Sequence, residues 1–148
     1  MTIEIRPYQS QDLNDLLSSW ERASHLAHGF MSKSFFDQER HNIPNLYLPN
    51  ADTWVAVVEH RVVGFIALIG NEVGGLFVDP QYHGTGCGKA LMDKAQALHG
   101  GLEVHVFQDN IIGRQFYDRY GFVAVAEEVF EQTSYLILHM VFEPAAET

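Results

Sequence analysis

The chain is poor in several features that would each indicate a particular class of protein. It has a single cysteine, Cys87, so an internal disulfide is excluded. No stretch reaches the roughly eighteen uncharged apolar residues that a membrane-spanning helix requires. The first residues lack the basic start and apolar stretch of a signal peptide. We therefore expect a soluble, cytoplasmic protein.

Basic residues are also scarce, because nine Lys and Arg stand against nineteen Asp and Glu, for a net charge of −10. Generic nucleic-acid binding needs a basic surface that neutralises phosphates, so this balance argues against it. The acidic surface either attracts a cationic co-substrate or serves solubility alone. Four of the nine basic residues fall between positions 89 and 119, namely Lys89, Lys94, Arg114 and Arg119.

Length and hydrophobic patterning predict one domain spanning residues 1–148 with a core of its own. The pattern gives the order β-α-α-β-β-β-α-β-α-β-β. Three consecutive hairpin strands do not suit a doubly wound array, so we expect a mixed sheet. The predicted strands are 2–7, 53–59, 62–69, 72–78, 102–107, 122–130 and 134–142. The predicted helices are 10–29, 34–43 (ending before Pro44), 87–99 and 110–120, with a loop at 46–52 and a tight turn at His60-Arg61.

Glycine recurs at every second position, as Gly84, Gly86 and Gly88, between an apolar strand and the predicted helix 87–99. Glycine allows tight turns and a close approach of the backbone to a ligand. Free N–H groups and the dipole at a helix N-terminus favour a bound anion. The segment therefore predicts a phosphate-binding loop, although these residues taken alone also fit a purely structural turn.

Two common phosphate-binding motifs match this loop poorly. A Walker A loop needs a hydroxyl residue after Gly-Lys, but Ala90 follows Lys89, and position 83 is not glycine. A dinucleotide fingerprint places its third glycine one position later and an acidic residue at the end of the next strand. That strand ends in Phe107-Gln108, which disfavours a nicotinamide or flavin dinucleotide.

A second motif follows the strand at 102–107 and narrows the interpretation. It comprises Asn110, Gly113, Phe116-Tyr117 and Gly121-Phe122. Together with the glycine loop, in this order and at this separation, it resembles the GNAT superfamily of N-acetyltransferases. The resemblance is close over residues 53–125, whereas the first fifty residues fit only in outline. The chain is most similar to small bacterial members of that family.

The resemblance implies an α/β (α+β) fold, with a central mixed, mostly antiparallel sheet of about seven strands and about four helices. It implies an acetyl-CoA-dependent N-acetyltransferase in which a primary amine attacks directly in a ternary complex, without a metal. The acceptor is then a small-molecule amine or a protein or peptide amine, with no nucleic-acid or membrane partner and an open possibility of a homodimer. The alternative is an acyl-CoA binding or sensing module without turnover, and the presence of Asn110 and Tyr117 favours the enzyme.

The resemblance also assigns the residues that bind acetyl-CoA, and this sequence departs from the family pattern at three of them. His83 stands where the family usually has Arg or Gln, Gly113 replaces a common Ala, and Cys87 fills a usually aliphatic position that suits a buried packing residue. The assigned set is Leu76, Phe77, Val78, His83, Gly84, Thr85, Gly86, Cys87, Gly88, Lys89, Asn110, Gly113, Phe116 and Tyr117.

Tyr117 matches the family tyrosine that lies near the thioester sulfur, which implies a general acid for the leaving thiolate. Its alternative is a packing role like that expected of Phe116 and Tyr120. The candidate bases are Glu72, at the start of a strand, and His105, on the next strand; ordered water or a backbone carbonyl are further alternatives.

The end of the first helix forms one wall of the acceptor pocket in the family, which implies a substrate role for His28 and Phe30. A metal site made of His25, His28 and His41 has no supporting ligand spacing. We therefore expect no metal.

Overall fold

The computed structural model describes residues 1–130 and 135–144, and in them seven strands form one sheet in the order β1-β2-β3-β4-β5-β7-β6. Neighbouring strands are antiparallel except for β4 and β5, which run parallel. The prediction of a mixed, mostly antiparallel sheet is thus confirmed. The strands are β1 Glu4–Pro7, β2 Asp52–Val58, β3 Arg61–Ile69, β4 Glu72–Val78, β5 Leu102–Phe107, β6 Val123–Val129 and β7 Leu136–Phe142.

Four longer helices and one single-turn helix lie around this sheet in the described residues. Three predicted elements, the strand 72–78, the helix 87–99 and the strand 102–107, have the predicted bounds, while the predicted start of the last strand at Ser134 lies outside the described residues. The helices are α1 Leu13–Ala27, α2 Lys33–Asn42, the single-turn α3 Leu48–Asn50, α4 Cys87–His99 and α5 Ile111–Tyr120.

The second helix ends at Asn42, before Pro44 as predicted, but the predicted loop at 46–52 is wrong. Helical backbone continues from α2 through a wide π-type turn, Ile43–Tyr47, into α3. In this turn the N–H of Leu48 donates to the carbonyl of Ile43, five residues back. A proline clashes with the carbonyl four residues before it in a regular helix, and a widened turn relieves such a clash.

The first hairpin turns at Glu59-His60, one residue earlier than the predicted His60-Arg61. Both residues have positive φ, 51° and 68°, which is the signature of a type I′ turn. This turn twists in the same sense as the strands it joins, so the register of β2 and β3 favours it. That preference outweighs the cost of placing Glu59 and His60 at positive φ.

The sheet has a different layer on each face. Val104 and Val106 of β5 belong to the core that includes Leu91 of α4 and Tyr117 of α5. Leu16 and Trp20 of α1 pack on the opposite face against β2 and β3. Because side chains alternate along a strand, β5 directs one set into the core of α4 and the other, Glu103, His105 and Phe107, to the face of α1.

The sheet opens between β4 and β5. These strands pair only at Glu72 with Glu103 and at Val73 with Val104. A β-bulge opposite Ala67 and Leu68 breaks the register of β4 at this point. The rest of β4, including Leu76 to Val78, pairs with β3 but not with β5. No other strand of the described residues covers this second edge, which is thus open to another extended chain.

No helix in the ranges 1–130 and 135–144 is both long enough and apolar enough to span a lipid bilayer.

Candidate active site

A cleft of about 1130 Å³ lies where β4 and β5 separate. Its walls come from α1, α2, β4, the glycine loop, β5 and α5. The cleft brings together Glu72, His105, Tyr117 and most of the residues predicted to bind acetyl-CoA. Three predicted residues do not line it, namely Phe30, Thr85 and Cys87.

The alternating glycines are required for different reasons. Gly84 and Gly86 have φ of +76° and +97°, a conformation that other residues rarely adopt. Gly88 lies in the first turn of α4, and a β-carbon there would lie 3.0 Å from Cε2 of Phe116. Two glycines therefore shape the loop, while the third lets α5 pack close to the N-terminus of α4.

A buried carboxylate fixes the approach to this loop. Asp79 is completely buried, and its Oδ2 atom lies 2.8 Å from a guanidinium nitrogen of Arg22 and 3.4 Å from one of Arg61. Its Oδ1 atom accepts a hydrogen bond from the backbone N–H of Gln81 at 3.1 Å. Asp79 thus ties the end of β4 to α1 and β3. Sequence reasoning missed both arginines because they lie 57 and 18 residues away along the chain.

Side chains of the loop make mostly local contacts. The ring of His83 is exposed and donates from Nε2 to the carbonyl of Val78 at 2.8 Å. The Thr85 hydroxyl donates to the carbonyl of Tyr82, so this side chain serves the turn. Cys87 is 1% exposed and belongs to the core beneath the loop. Lys89 is exposed and pairs with Asp93 one turn along α4 at 2.8 Å.

Asn110 links the start of α5 to the end of α1. Its Oδ1 atom accepts from the backbone N–H of Gly113 at 2.9 Å, which caps the helix. Its Nδ2 atom lies 3.4 Å from Nε2 of His28. Burial lowers the pKa of His28 to about 4, so its ring is neutral at neutral pH. Because the amide nitrogen is the donor, Nε2 of His28 is the acceptor and the ring hydrogen belongs on Nδ1.

Tyr117 is 6% exposed, and its ring packs between those of Phe116 and Phe122 at centroid distances of 5.7 and 5.4 Å. Burial raises the pKa of its phenol far above the ordinary value. Its hydroxyl has no hydrogen-bond partner within residues 1–130 and 135–144, although the residue lines the cleft. The phenol is therefore protonated at neutral pH and its O–H group is available as a donor.

Glu72 and His105 are hydrogen-bonded to each other. Nδ1 of His105 lies 3.0 Å from Oε1 of Glu72, and its Nε2 lies 3.7 Å from Oε1 of Glu128 on β6. The imidazole also stacks on that of His139 on β7, with centroids 4.5 Å apart and planes 11° from parallel. Sequence reasoning offered Glu72 and His105 as alternatives and missed Glu128 and His139. The register of β7 against β5, which places His139 opposite His105, cannot be read from the sequence.

The wall near His28 is largely aromatic. Phe30 packs behind it, against Phe107 at 5.7 Å and Tyr135 at 5.0 Å, so its ring supports the wall from outside the cleft. Phe35 and Phe107 line the cleft itself, and sequence reasoning assigned neither of them. The adjacent aromatic residues Phe35 and Phe36 in the predicted helix 34–43 were the signal available for the first.

A half-buried carboxylate, Glu39 of α2, also lines the cleft and was missed. Burial raises its pKa, although the hydroxyl of Tyr47 donates to it at 2.9 Å and partly offsets this effect. The widened turn at Pro44 brings Tyr47 back to Glu39. The helix predicted from the sequence ended before Pro44, and so this contact was not predicted.

In the part of the chain that the structure describes, no group of three or more His, Cys, Asp or Glu side chains is arranged to hold a metal ion. The three histidines considered from the sequence have other contacts. His25 packs on Phe36, His28 faces Asn110, and His41 lies beside Asn45.

Comparison with known proteins identifies relatives across nearly the whole chain. The family profile described as an acetyltransferase (GNAT) domain matches residues 15–144. The peptidyl-lysine N-acetyltransferase YjaB of Salmonella typhimurium is 30% identical over 145 residues, which is 96% of this chain and 99% of the relative.

Solved structures give the same picture of the fold. The solution structure of apo-form YjaB from Escherichia coli has a TM-score of 0.87 at 29% identity, covering 98% of this chain and 100% of that one. The PaiA N-acetyltransferase of Thermoplasma acidophilum, solved in complex with coenzyme A, has a TM-score of 0.77 at 21% identity, covering 97% and 100%. The second likeness, at that identity, shows a shared fold alone.

Proposed function

Because the chain belongs to the GNAT family of acetyltransferases, as its motifs predicted, we propose that it transfers the acetyl group of acetyl-CoA to the side-chain amine of a peptidyl lysine. The acceptor class is taken from the relative YjaB, which is named a peptidyl-lysine N-acetyltransferase. The observation that carries the proposal is a single cleft lined by the glycine loop, the unpaired edge of β4, Tyr117 and the Glu72–His105 pair.

The residues present suit the two ends of acetyl-CoA. Backbone N–H groups of Gly84 and of residues 86–89, at the N-terminus of α4, suit a diphosphate. The free edge of Leu76, Phe77 and Val78 can pair with the amides of the pantetheine arm, as an added strand would. Two features keep this frame rigid, the buried Asp79 carboxylate and the close packing of Phe116 against Gly88.

Acetyl-CoA supplies an activated acetyl group as a thioester when it is bound. Backbone N–H groups on the unpaired edge of β4 are suited to polarise the thioester oxygen, because they are donors without a partner strand at that edge. Asn110 and Gly113 line the same cleft at the start of α5, and Asn110 is positioned by its cap to the helix. These groups orient the acetyl carbon towards an incoming amine.

Tyr117 is the proposed general acid. Its O–H group has no other partner in the described residues, and burial raises its pKa, so the proton stays on the phenol until a stronger base forms nearby. The thiolate that leaves in acyl transfer is such a base. Phe116, beside it, packs against Gly88 and acts in the frame of the site.

Glu72 and His105 act together as the proposed base. A lysine amine has an ordinary pKa near 10.4, so it reaches the site protonated and must lose a proton before it attacks. The Glu72 carboxylate holds the hydrogen of His105 on Nδ1, which leaves Nε2 as the atom that accepts a proton, directly or through water.

The charge of the cleft supports a cationic acceptor. Among the described residues, three carboxylates line it: Glu39 lies on α2, Glu72 on β4, and Asp93 on α4, where it is paired with Lys89. The basic residues that line the cleft, Lys89 and Arg119, lie on α4 and α5. Glu39 and Glu72, which have no lysine or arginine partner in the described residues, suit an ammonium acceptor, while Lys89 and Arg119 suit an anionic coenzyme.

The proposal is tested by measuring free thiol released from acetyl-CoA in the presence of lysine-bearing peptides and small amines. Matched peptides with arginine in place of the lysine serve as controls. We expect release with lysine peptides, intersecting initial-velocity patterns and no acetylated enzyme by intact mass. Binding of acetyl-CoA without thiol release for any amine would favour the sensing module.

A further inference from the structure

The imidazole of His83 is attached to the end of β4. Its Nε2 atom lies 2.8 Å from the carbonyl oxygen of Val78. A carbonyl oxygen can only accept, so Nε2 carries a hydrogen in both the neutral and the charged ring. Nδ1 is consequently the atom that carries the extra hydrogen in the charged form of the ring.

No carboxylate pairs with His83 among the described residues, and the ring is exposed where it lines the cleft. Asp79 is paired with two arginines, and Lys89 is paired with Asp93. The charge of His83 is therefore not fixed by an existing ion pair. The titratable groups on the adjoining segments are Asp79 at the end of β4, Arg22 of α1, Arg61 of β3, Tyr82 beside the ring and Lys89 of α4.

The two states of the ring differ in what they offer to an anion. With hydrogen on Nε2 alone, Nδ1 presents a lone pair, which repels a phosphate oxygen. A second proton turns Nδ1 into a donor and gives the ring a positive charge. The Arg or Gln usual at this position in the family donates at every physiological pH, whereas a histidine gains and loses this ability between about pH 5 and 8.

We propose that His83 binds the diphosphate of acetyl-CoA in its doubly protonated form, so that coenzyme binding takes up a proton. This inference rests on the proposed function, because it assumes that acetyl-CoA occupies the cleft. By linkage, affinity for the coenzyme rises as the pH falls through the range in which histidine titrates, and a bound diphosphate favours the charged ring.

The test is titration calorimetry of acetyl-CoA at about pH 6 and about pH 8, the range of histidine titration, with the wild type, His83→Gln and His83→Arg. Glutamine keeps a donor for the Val78 carbonyl without a charge, and arginine keeps a permanent charge. We expect wild-type affinity to improve about fivefold more than that of either variant at the lower pH, as for one exposed ion pair. Heats in two buffers of different ionisation enthalpy report the proton taken up.

A second titration uses 3′-dephospho acetyl-CoA, because the 3′-phosphate of the coenzyme titrates near the same pH. The wild-type dependence should persist with this analogue. If the wild-type pH dependence disappeared with the analogue, or if all three proteins had parallel pH curves, the proposed role of His83 would be overturned, while the proposed function would stand. Absence of acetyl-CoA binding by every protein, each shown to be folded by thermal unfolding, would overturn the proposed function as well.

Discussion

Nδ1 of His105 lies 3.0 Å from Oε1 of Glu72, and this contact joins β5 to β4 beside the short stretch where the two strands pair. The bond orients the imidazole and leaves Nε2 as its basic atom. Two side chains that the sequence offered as alternatives are therefore arranged as one unit. Stacking on His139 holds the ring from the other side.

Glu72→Gln and His105→Asn should each lower the turnover number by about a hundredfold, the lower end for a lost general base. Since the two residues act as one unit, the double variant should be little worse than either single variant. Steady-state kinetics with a lysine peptide measures this. Glu127→Gln, an exposed charge on β6, is the matched control. Losses that multiply in the double variant would show that the two residues act independently.

Tyr117→Phe should lower the turnover number tenfold to a hundredfold, roughly the scale of a lost general acid, while the Kd for acetyl-CoA stays nearly constant. The free energy of unfolding should not fall, because the buried hydroxyl has no hydrogen bond in the described residues to lose. Kinetics, calorimetry and urea unfolding separate the three effects. An unchanged turnover number would reduce Tyr117 to a packing residue.

The elements around the site were predictable because local chemistry sets their bounds. Glycines bracket α4, with Gly86 before it and Gly100 after it, and the alternation in β5 gave its exact span. The continuation past Pro44 was not predictable, since a widened turn depends on tertiary packing that the local sequence does not show. The type I′ turn at Glu59-His60 likewise follows from strand register.

The residues of the site were predictable where they belong to short sequence motifs. They were not predictable where they depend on contacts between segments that are distant in the sequence. The glycine loop and Tyr117 line the cleft as expected from their motifs. The partners that distinguish this chain, Arg22 with Asp79 and His139 with His105, come from segments far apart in sequence. The strand order brings the two histidines together and the packing of α1 on the sheet brings Arg22 to Asp79, and a single sequence reveals neither.

Asp79→Asn should lower the free energy of unfolding by about 2–3 kcal/mol, because it removes the charge of a fully buried carboxylate that faces two arginines. This loss of stability is smaller than the loss expected on breaking a fully buried ion pair, because both arginines are partly exposed. Urea unfolding measures the change. Asp37→Asn, from the exposed pair with Lys33, is the matched control and should have no measurable effect. Equal stability of both variants would contradict this role of Asp79.

The pKa of His28, lowered to about 4, predicts a loss of stability in acid. Between pH 6.5 and about 4 the unfolded chain binds a proton at His28 that the folded chain does not, so stability present above this window is lost as the pH falls through it. At about pH 5 the wild type should lose roughly 1–2 kcal/mol more than His28→Gln, relative to neutral pH.

Urea unfolding of both proteins at neutral and acid pH measures this difference. His25→Gln, at an exposed position of α1 just before its C-cap residue His28, is the matched control. Parallel pH dependences of the wild type and His28→Gln would show that the folded ring accepts a proton as readily as the unfolded one.

Gly113→Ala introduces the residue common in the family, yet it should destabilise this chain. A β-carbon at Gly113 would lie 2.5 Å from Nδ2 of Asn110, so the capping side chain must move and its bond to the Gly113 N–H is strained or lost. A lost N-cap costs about 1 kcal/mol, and the clash adds to it, whereas alanine gains at most about 1 kcal/mol in helix propensity. Urea unfolding should show a net loss.

The Asn110→Ala background isolates this clash, because it removes both the cap and the obstructing amide. There Gly113→Ala should stabilise α5 by about 0.5 kcal/mol, through helix propensity alone. The substitution then changes sign between the two backgrounds, which a general intolerance of alanine at position 113 does not predict. A destabilisation of equal size in both backgrounds would mean that Gly113 is required for a reason other than the position of Asn110.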